Sequence, residues 1–262
     1  MEILLYPIIV FLATALGATS GAGGGAIIKP VFDLIGIDNV TVIGIYSTIA
    51  VFSMCLSSIY KHSRSGMVFE KKILYGLSMG SVLGGLLGDS IFKQLTQEIP
   101  NHSVTLIQSI LLIIVLLAVL LFTRFSHSFP PFQLQSLPII FLLGLNVGAL
   151  SVFLGIGGGP LNVIILVGLM GFTTKDSAPY SIAMIFFAQI PKIISLLLVD
   201  QAENFRWQLV PFLVISAILG GTVGTQLNRK LSNKQVNSIY SLMMAGLLLI
   251  CVYNILSNIA WF

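Results

Sequence analysis

Charged residues are scarce in this chain. Only 8% of its 262 residues are Asp, Glu, Lys or Arg, whereas soluble domains carry about 25%. The hydrophobic share is 56%. These two values exclude an ordinary soluble domain and predict an all-α polytopic membrane protein that is embedded in the lipid bilayer.

Residues that bind metals or form disulfides are also few. Cys55 and Cys251 fall in separate apolar runs, which favours two buried thiols over a disulfide or a metal site. His62, His102 and His127 lie in expected loops without metal-ligand spacing. The chain has no Walker lysine-serine pair and no paired carboxylates in mid-membrane. We therefore expect no enzyme active site, no metal, no cofactor and no nucleic-acid partner.

Long apolar runs dominate the chain. Runs of about 18 or more residues predict membrane spans, and eight occur, at residues 3–20, 41–60, 73–92, 104–125, 138–154, 177–199, 207–227 and 236–259. Two shorter runs, 26–37 and 160–171, cannot span as straight helices, and we predict that they are half-helices. The runs 104–125 and 236–259 are the most uniformly apolar, so we expect them at a lipid-facing rim or in a homodimer contact.

Each half-helix follows a glycine cluster, GAGGG at 21–25 and GIGGG at 155–159. Glycine at this density breaks a helix or strand and lets the backbone approach a bound group. The first amides of the following helix lack partners and carry the positive end of its dipole. Each cluster therefore predicts an anion site made of backbone.

The two clusters belong to an internal repeat. An offset of 134 residues, from Gly21 to Gly155, also aligns Tyr46 with Tyr180, and an offset of 136 aligns residues 84–88 with 220–224. We predict a first repeat at 1–125, a linker at 126–136 and a second repeat at 137–262. Each repeat would contain four transmembrane helices and one half-helix after its glycine-rich break.

Five hydrophobic segments in each repeat, an odd number, predict that the repeats have inverted topology. The basic residues agree, because one arrangement places nine of them inside and only Lys93 and Arg206 outside. An inverted repeat is typical of secondary transporters. The favoured arrangement places both termini outside the plasma membrane. The nine inner residues are Lys61, Arg64, Lys71, Lys72, Arg124, Lys175, Arg229, Lys230 and Lys234.

The paired breaks, the glycine pairs at 84–85 and 220–221 and the basic loop after the second span resemble the TauE/SafE family of membrane permeases, often called sulfite exporters. The resemblance covers residues 3–259. It implies a carrier of sulfite or of organosulfur anions such as sulfoacetate, and it does not fix the substrate.

The candidate substrate site lies between the two half-helix N-termini. Lys29, one turn into the first half-helix, would supply the compensating charge, and Lys29→Ala is expected to weaken transport sharply. A second interpretation pairs Lys29 with Asp33 on the same helical face. The amides that would hold the anion are those of Gly23, Gly24, Gly25, Gly157, Gly158 and Gly159.

Further polar residues fall in the same spans, and each has a second interpretation. Lys192 either binds substrate or extends to the outer surface. Gln189 and Asn162 either orient a sulfonate or bridge helices. The symmetry-related hydroxyls either line the cavity or, for the tyrosines, lie at the membrane interface. These hydroxyl residues are Tyr46, Ser47, Tyr180 and Ser181.

Taken together, these patterns predict a secondary transporter that moves a small oxyanion by alternating access around a mid-membrane site, and the family resemblance implies that the oxyanion contains sulfur and that the transporter is an exporter. Two alternatives stay open at this point. A passive anion channel could use the same site, and a non-transporting membrane scaffold would bind no ligand.

Overall fold

The fold is all-helical, as the composition predicted. A computed structural model describes residues 2–64, 69–125, 134, 136–198 and 205–259. Within those residues there are ten α-helices and one 3-10 turn, Trp207–Leu209. The helices are α1 (Glu2–Ser20), α2 (Gly25–Ile35), α3 (Val40–Arg64), α4 (Lys71–Glu98), α5 (Asn101–Phe125), α6 (Leu137–Phe153), α7 (Gly159–Met170), α8 (Thr174–Leu198), α9 (Val210–Lys230) and α10 (Asn233–Ile259).

Two of these helices are the expected half-helices. α2 has 11 residues and α7 has 12, which gives each a length of about 17 Å. A bilayer core is about 30 Å thick, so neither crosses it alone. Each ends at a glycine in the left-handed conformation, Gly36 with φ 67° and Gly171 with φ 79°. Such a glycine is a common helix stop.

Five described helices are long and apolar enough to cross a membrane: α3, α5, α8, α10, and α9 together with the turn before it. The sequence predicted eight spans, and the other three lie on α1, α4 and α6. α1 has 19 residues, close to the shortest length that crosses a bilayer core, and α6 has 17. α4 has 28 residues, but its glycines and serines make it less apolar.

Helices from the two predicted repeats pack closely on one another. α1 packs chiefly on α9, and α4 packs chiefly on α6. A Cβ atom added to Gly84 would lie 2.1 Å from the carbonyl oxygen of Leu145, and one added to Gly220 would lie 2.5 Å from that of Phe11. Glycine therefore permits backbone contact at both interfaces. The proposed linker at 126–136 falls mostly outside the described residues, and the domain boundaries stay a prediction.

α3 and α8 form the centre of the bundle, while α5 and α10 lie at its edge. In the apolar part of α3, 72% of the residues are buried, and in that of α8 61% are buried. The corresponding share is 33% for both α5 and α10. Polar groups that lie along α3 and α8 are therefore the ones shielded from lipid.

α3 and α8 run in opposite directions. Tyr46, near the start of α3, accepts a hydrogen bond from Arg206, and Arg206 forms an ion pair with Asp38 at 2.9 Å. At the other end of α3, Arg64 lines a groove together with Arg229. Lys175 starts α8 on that same face, because its ammonium donates a hydrogen bond to the Arg229 carbonyl oxygen at 3.1 Å.

Candidate functional site

The two glycine-rich breaks, residues 21–25 and 155–159, contact each other at the centre of the bundle. A Cβ atom added to Gly25 would lie 2.7 Å from the carbonyl oxygen of Ile156, and one added to Gly159 would lie 1.8 Å from that of Ala22. The repeat offset matches Gly25 with Gly159 and Ala22 with Ile156, so the contacts are reciprocal. The tips of the two half-helices therefore meet, and at these positions only glycine fits.

The glycines also hold backbone conformations that other residues avoid. Gly21 has φ 78° and Gly155, its repeat partner, has φ 68°. Gly23 with φ 72° and Gly157 with φ 74° form a second matched pair, and Gly158 has φ 70°. The Gly23 amide donates to the Gly17 carbonyl oxygen at 3.2 Å, so in this conformer it is not directed at a ligand.

Ser47 and Ser181 each bond a helix of one predicted repeat to the glycine-rich break of the other. The Ser47 hydroxyl donates to the carbonyl oxygen of Gly155 at 3.0 Å, and the Ser181 hydroxyl donates to that of Gly21 at 2.5 Å. Both serines are fully buried. The structure thus brings both predicted serines to the breaks. There each hydroxyl donates its hydrogen bond to a backbone carbonyl oxygen.

Tyr46 and Tyr180 lie at two separate places, each with its own partners. The Tyr46 hydroxyl accepts the Arg206 N–H at 2.9 Å, and the Tyr180 hydroxyl accepts the Glu70 N–H at 2.7 Å. Arg206 precedes α9 and Glu70 precedes α4, so each tyrosine holds the entry to a helix. The structure does not bring these two predicted site residues to a shared cavity.

Lys29 forms an ion pair with Asp33. Their side-chain atoms lie 2.7 Å apart and are only 3% and 7% exposed. Of the two interpretations drawn from the sequence, this conformer shows the pairing along α2. A cavity of about 10 Å³ beside the pair, also lined by Gln108 and Asn254, is large enough for about one water molecule.

Lys192 is buried without such a pair. It is 5% exposed, and within the described residues its ammonium has neither a hydrogen-bond acceptor nor a carboxylate partner. The ammonium lies 5.1 Å from the centre of the Phe92 ring. Asp89, Lys29 and Lys93 lie within electrostatic range of it, but Asp89 is already paired with Lys93 at 2.8 Å.

Two buried amides lie near the breaks. The Gln189 Nε2 atom would be 3.8 Å from a Cβ atom on Gly157. Asn162 donates to the Ser181 carbonyl oxygen at 3.3 Å, which is the bridging role expected as its alternative. The oxygen atoms of both amides, Gln189 Oε1 and Asn162 Oδ1, have no hydrogen-bond partner in the part of the chain that the structure describes. Burying such an oxygen without a hydrogen bond lowers the folding stability by roughly 1–3 kcal/mol for each oxygen.

Val51 and Ile185 cover the breaks. A Cβ atom on Gly25 would lie 2.9 Å from Val51, and one on Gly23 would lie 2.8 Å from Ile185. Both side chains also approach Gly157, at 3.3 Å and 3.2 Å from its added Cβ. The two apolar residues are matched by the 134-residue offset, and they close the junction in this conformer.

Sequence reasoning used Lys93 only to orient the chain and gave Asp89 and Ser195 no role in the site. Lys93 lies one turn after Asp89 and also donates a hydrogen bond to Ser195 on α8. The spacing of Asp89 and Lys93 in a glycine-rich span was the signal that could have found them. No cluster of His, Cys, Asp or Glu suited to a metal ion occurs among the described residues.

Known proteins resemble this chain in sequence over most of its length. A family model described as sulfite exporter TauE/SafE matches residues 6–253, a range that includes both breaks. The chain is also 25% identical over 263 residues to the "Probable membrane transporter protein MJ0441" of Methanocaldococcus jannaschii, with 91% of this chain and 92% of the relative covered. The chain therefore belongs to the sulfite exporter TauE/SafE family of membrane transporters.

Proposed function

We propose that the chain is a secondary transporter that exports a small sulfur-containing oxyanion, such as sulfite or an organosulfonate, across the plasma membrane. The observation that carries this proposal is Lys192, a residue only 5% exposed whose ammonium has no anionic hydrogen-bond partner among the described residues. A lone charge at membrane depth is costly and marks a substrate path. An anion that enters beside Lys192 would offset that cost.

The charges around Lys192 favour an anion over a cation. Lys29, Lys93 and Lys192 supply three positive charges, while Asp33 and Asp89 supply two negative ones. The cluster therefore has one uncompensated positive charge. A sulfonate or sulfite would be held there by charge-assisted hydrogen bonds from Lys192, and the Gln189 amide, on the same helix, would orient its oxygens.

The half-helix tips add backbone dipoles to this charge. α2 starts at Gly25 and α7 starts at Gly159, and both present helix N-termini to the junction of the breaks. The anion would reach the amides of Gly24, Gly25, Gly158 and Gly159 only after Val51 and Ile185 move aside. The described conformer is accordingly the closed one in the proposed cycle.

Alternating access would arise from an inverted repeat. Two features support that arrangement: residues matched by the 134-residue offset make reciprocal contacts, and the matched helices α3 and α8 run in opposite directions. The bonds from Ser47 to Gly155 and from Ser181 to Gly21 join the two repeats. Rocking of one repeat against the other would break these bonds alternately and open the site to each side in turn.

We propose that the face with Lys175 and Arg229 is cytoplasmic and that the face with Asp38 and Arg206 is outside. The basic residues of the first face support this orientation by the positive-inside rule. Both termini would then be outside the cell.

Flux measurements in proteoliposomes test the proposal. We expect saturable sulfite flux that is accelerated by sulfite or sulfoacetate on the opposite side, because a carrier exchanges its substrates. Sulfate, thiosulfate and a carboxylate serve as competitors that rank the anions. A conductance that does not saturate would indicate a channel. Absence of both flux and sulfite-dependent thermal stabilisation would indicate a scaffold.

A further inference from the structure

A groove outside the proposed transport site runs along the exposed seam between α3 and α9. Its volume is about 630 Å³. Lys61, Arg64 and Arg229 lie at one end, Leu56 and Ile218 lie at the other, and Tyr60 also lines it. We call it the basic groove.

The charged end of the basic groove has three cations and, among the described residues, no carboxylate bound to them. Within the described residues, no Asp or Glu pairs with Lys61, Arg64 or Arg229. The Arg64 guanidinium lies 5.3 Å from the centre of the Tyr60 ring, so it is held over an aromatic face instead. This end is therefore complementary to a compact anion.

The other end of the groove is apolar and faces outward. Leu56 is 49% exposed and Ile218 is 40% exposed. Both lie in helices that are long and apolar enough to cross a membrane, so their exposed faces contact hydrocarbon. A ligand that fills the whole groove has a charged head and an apolar chain.

The matching seam, between α4 and α8, has only one cation at the positions matched to Lys61, Arg64 and Arg229. The repeat offsets place Ser195 at the position of Lys61, Leu198 at that of Arg64 and Lys93 at that of Arg229. The cation at these matched positions, Lys93, is bonded to Asp89 and Ser195, while Lys192 of α8 lies at the position of Ser58, against Phe92. Close helix packing thus accounts for both seams, but it does not account for three cations in one of them that have no carboxylate partner among the described residues.

We propose that the basic groove binds an anionic phospholipid. Its phosphodiester would lie between Lys61, Arg64 and Arg229, and an acyl chain would lie along Leu56 and Ile218. Cations beside a membrane helix attract anionic lipid headgroups in this way. The site is separate from the transport site, and lipid bound there would hold the α3–α9 seam together.

Lipid binding to the purified full-length chain tests this proposal. Native mass spectrometry and thermal unfolding are compared with added phosphatidylglycerol and with added phosphatidylcholine, at one ionic strength. We expect tighter binding and a higher unfolding temperature with phosphatidylglycerol. The triple variant Lys61→Gln, Arg64→Gln and Arg229→Gln should lose this preference, with about fivefold weaker binding for each cation and on the order of a hundredfold for all three.

The matched control is the triple variant Lys71→Gln, Lys72→Gln and Lys234→Gln. It removes the same charge from exposed positions at the starts of α4 and α10, outside the groove, and should bind phosphatidylglycerol like the wild type. If the groove triple does not fold, Arg64→Gln alone gives the test, since its side chain is exposed and the expected loss is about fivefold.

A third variant tests the apolar end. Ile218→Trp keeps all three cations but fills the groove, so it should also weaken phosphatidylglycerol binding. Equal binding of the two lipids by the wild type, or an unchanged preference in the groove triple, would overturn the proposal. Full competition by the soluble headgroup glycerophosphoglycerol would overturn it in favour of a free-phosphate site. Sulfite flux, measured in parallel, reports separately on the transport proposal.

Discussion

The hydroxyl of Ser47 donates a hydrogen bond to the carbonyl oxygen of Gly155, 3.0 Å away. The bond joins α3 of the first predicted repeat to the glycine-rich break of the second. Its counterpart, from Ser181 to Gly21, joins α8 to the break of the first. Each break is thus held by a helix of the other repeat, and this is how the fold places two half-helix tips at one point.

Ser47→Ala should destabilise the folded protein by about 1–3 kcal/mol, because the buried Gly155 carbonyl loses its donor. Thermal unfolding of the purified protein in detergent measures the loss. The matched control is Ser53→Ala, since Ser53 is also buried but donates to the Ile49 carbonyl of its own helix. We expect a change within about 0.5 kcal/mol for the control. Equal effects in the two variants would remove the cross-repeat bond from this account.

Gly159→Ala should prevent correct folding. The added Cβ would lie 1.8 Å from the Ala22 carbonyl oxygen and 1.9 Å from its carbon, and this backbone cannot retreat because it belongs to the other break. We expect a cost of at least about 3 kcal/mol, seen as loss of the monodisperse peak in size-exclusion chromatography. Gly246→Ala is the control, because nothing lies within 4 Å of its added Cβ. A folded Gly159→Ala protein would contradict the direct contact of the breaks.

Asp33→Asn should be strongly destabilising, because it leaves the Lys29 ammonium buried without its carboxylate. Breaking a buried pair from one side costs about 3–5 kcal/mol, measured as a lower unfolding temperature. Replacing both partners, as Lys29→Met with Asp33→Leu, should recover most of that loss. If the double variant unfolds at as low a temperature as Asp33→Asn, the loss of the ion pair is not what destabilises this region.

Cysteine labelling in intact cells checks the proposed orientation. The native Cys55 and Cys251 are buried, so they should give little background. Glu98→Cys, at the end of α4, should react with a membrane-impermeant maleimide added outside. Lys234→Cys, at the start of α10, should react only after permeabilisation. The reverse pattern would show that the charge rule assigned the faces the wrong way round.

Local signals in the sequence predicted the half-helices well. The runs 26–37 and 160–171 correspond to Gly25–Ile35 and Gly159–Met170, because glycines mark both ends of each helix. The pairing of Lys29 with Asp33 was also one of two stated interpretations, since spacing along one helix is visible in the sequence.

The contacts of the candidate site were harder to predict, because they join distant segments. Among the described residues Lys192 has no carboxylate partner, and the nearby Asp89 is paired with Lys93; Lys192 lies on α8 and the other two on α4. The tyrosines Tyr46 and Tyr180 hold loops that precede α9 and α4, a role that no local pattern reveals. Repeat symmetry showed which residues match, but it did not show what each pair touches.

The most direct test of the account is the dissociation constant of sulfite for Lys192→Gln, measured by thermal shift or calorimetry with sulfite flux in parallel. Removing a buried ammonium that binds the anion should weaken binding about 10- to 100-fold. Lys71→Gln, which removes the same charge at the exposed start of α4, should bind like the wild type. If folded Lys192→Gln protein binds and transports sulfite as the wild type does, the central claim is contradicted.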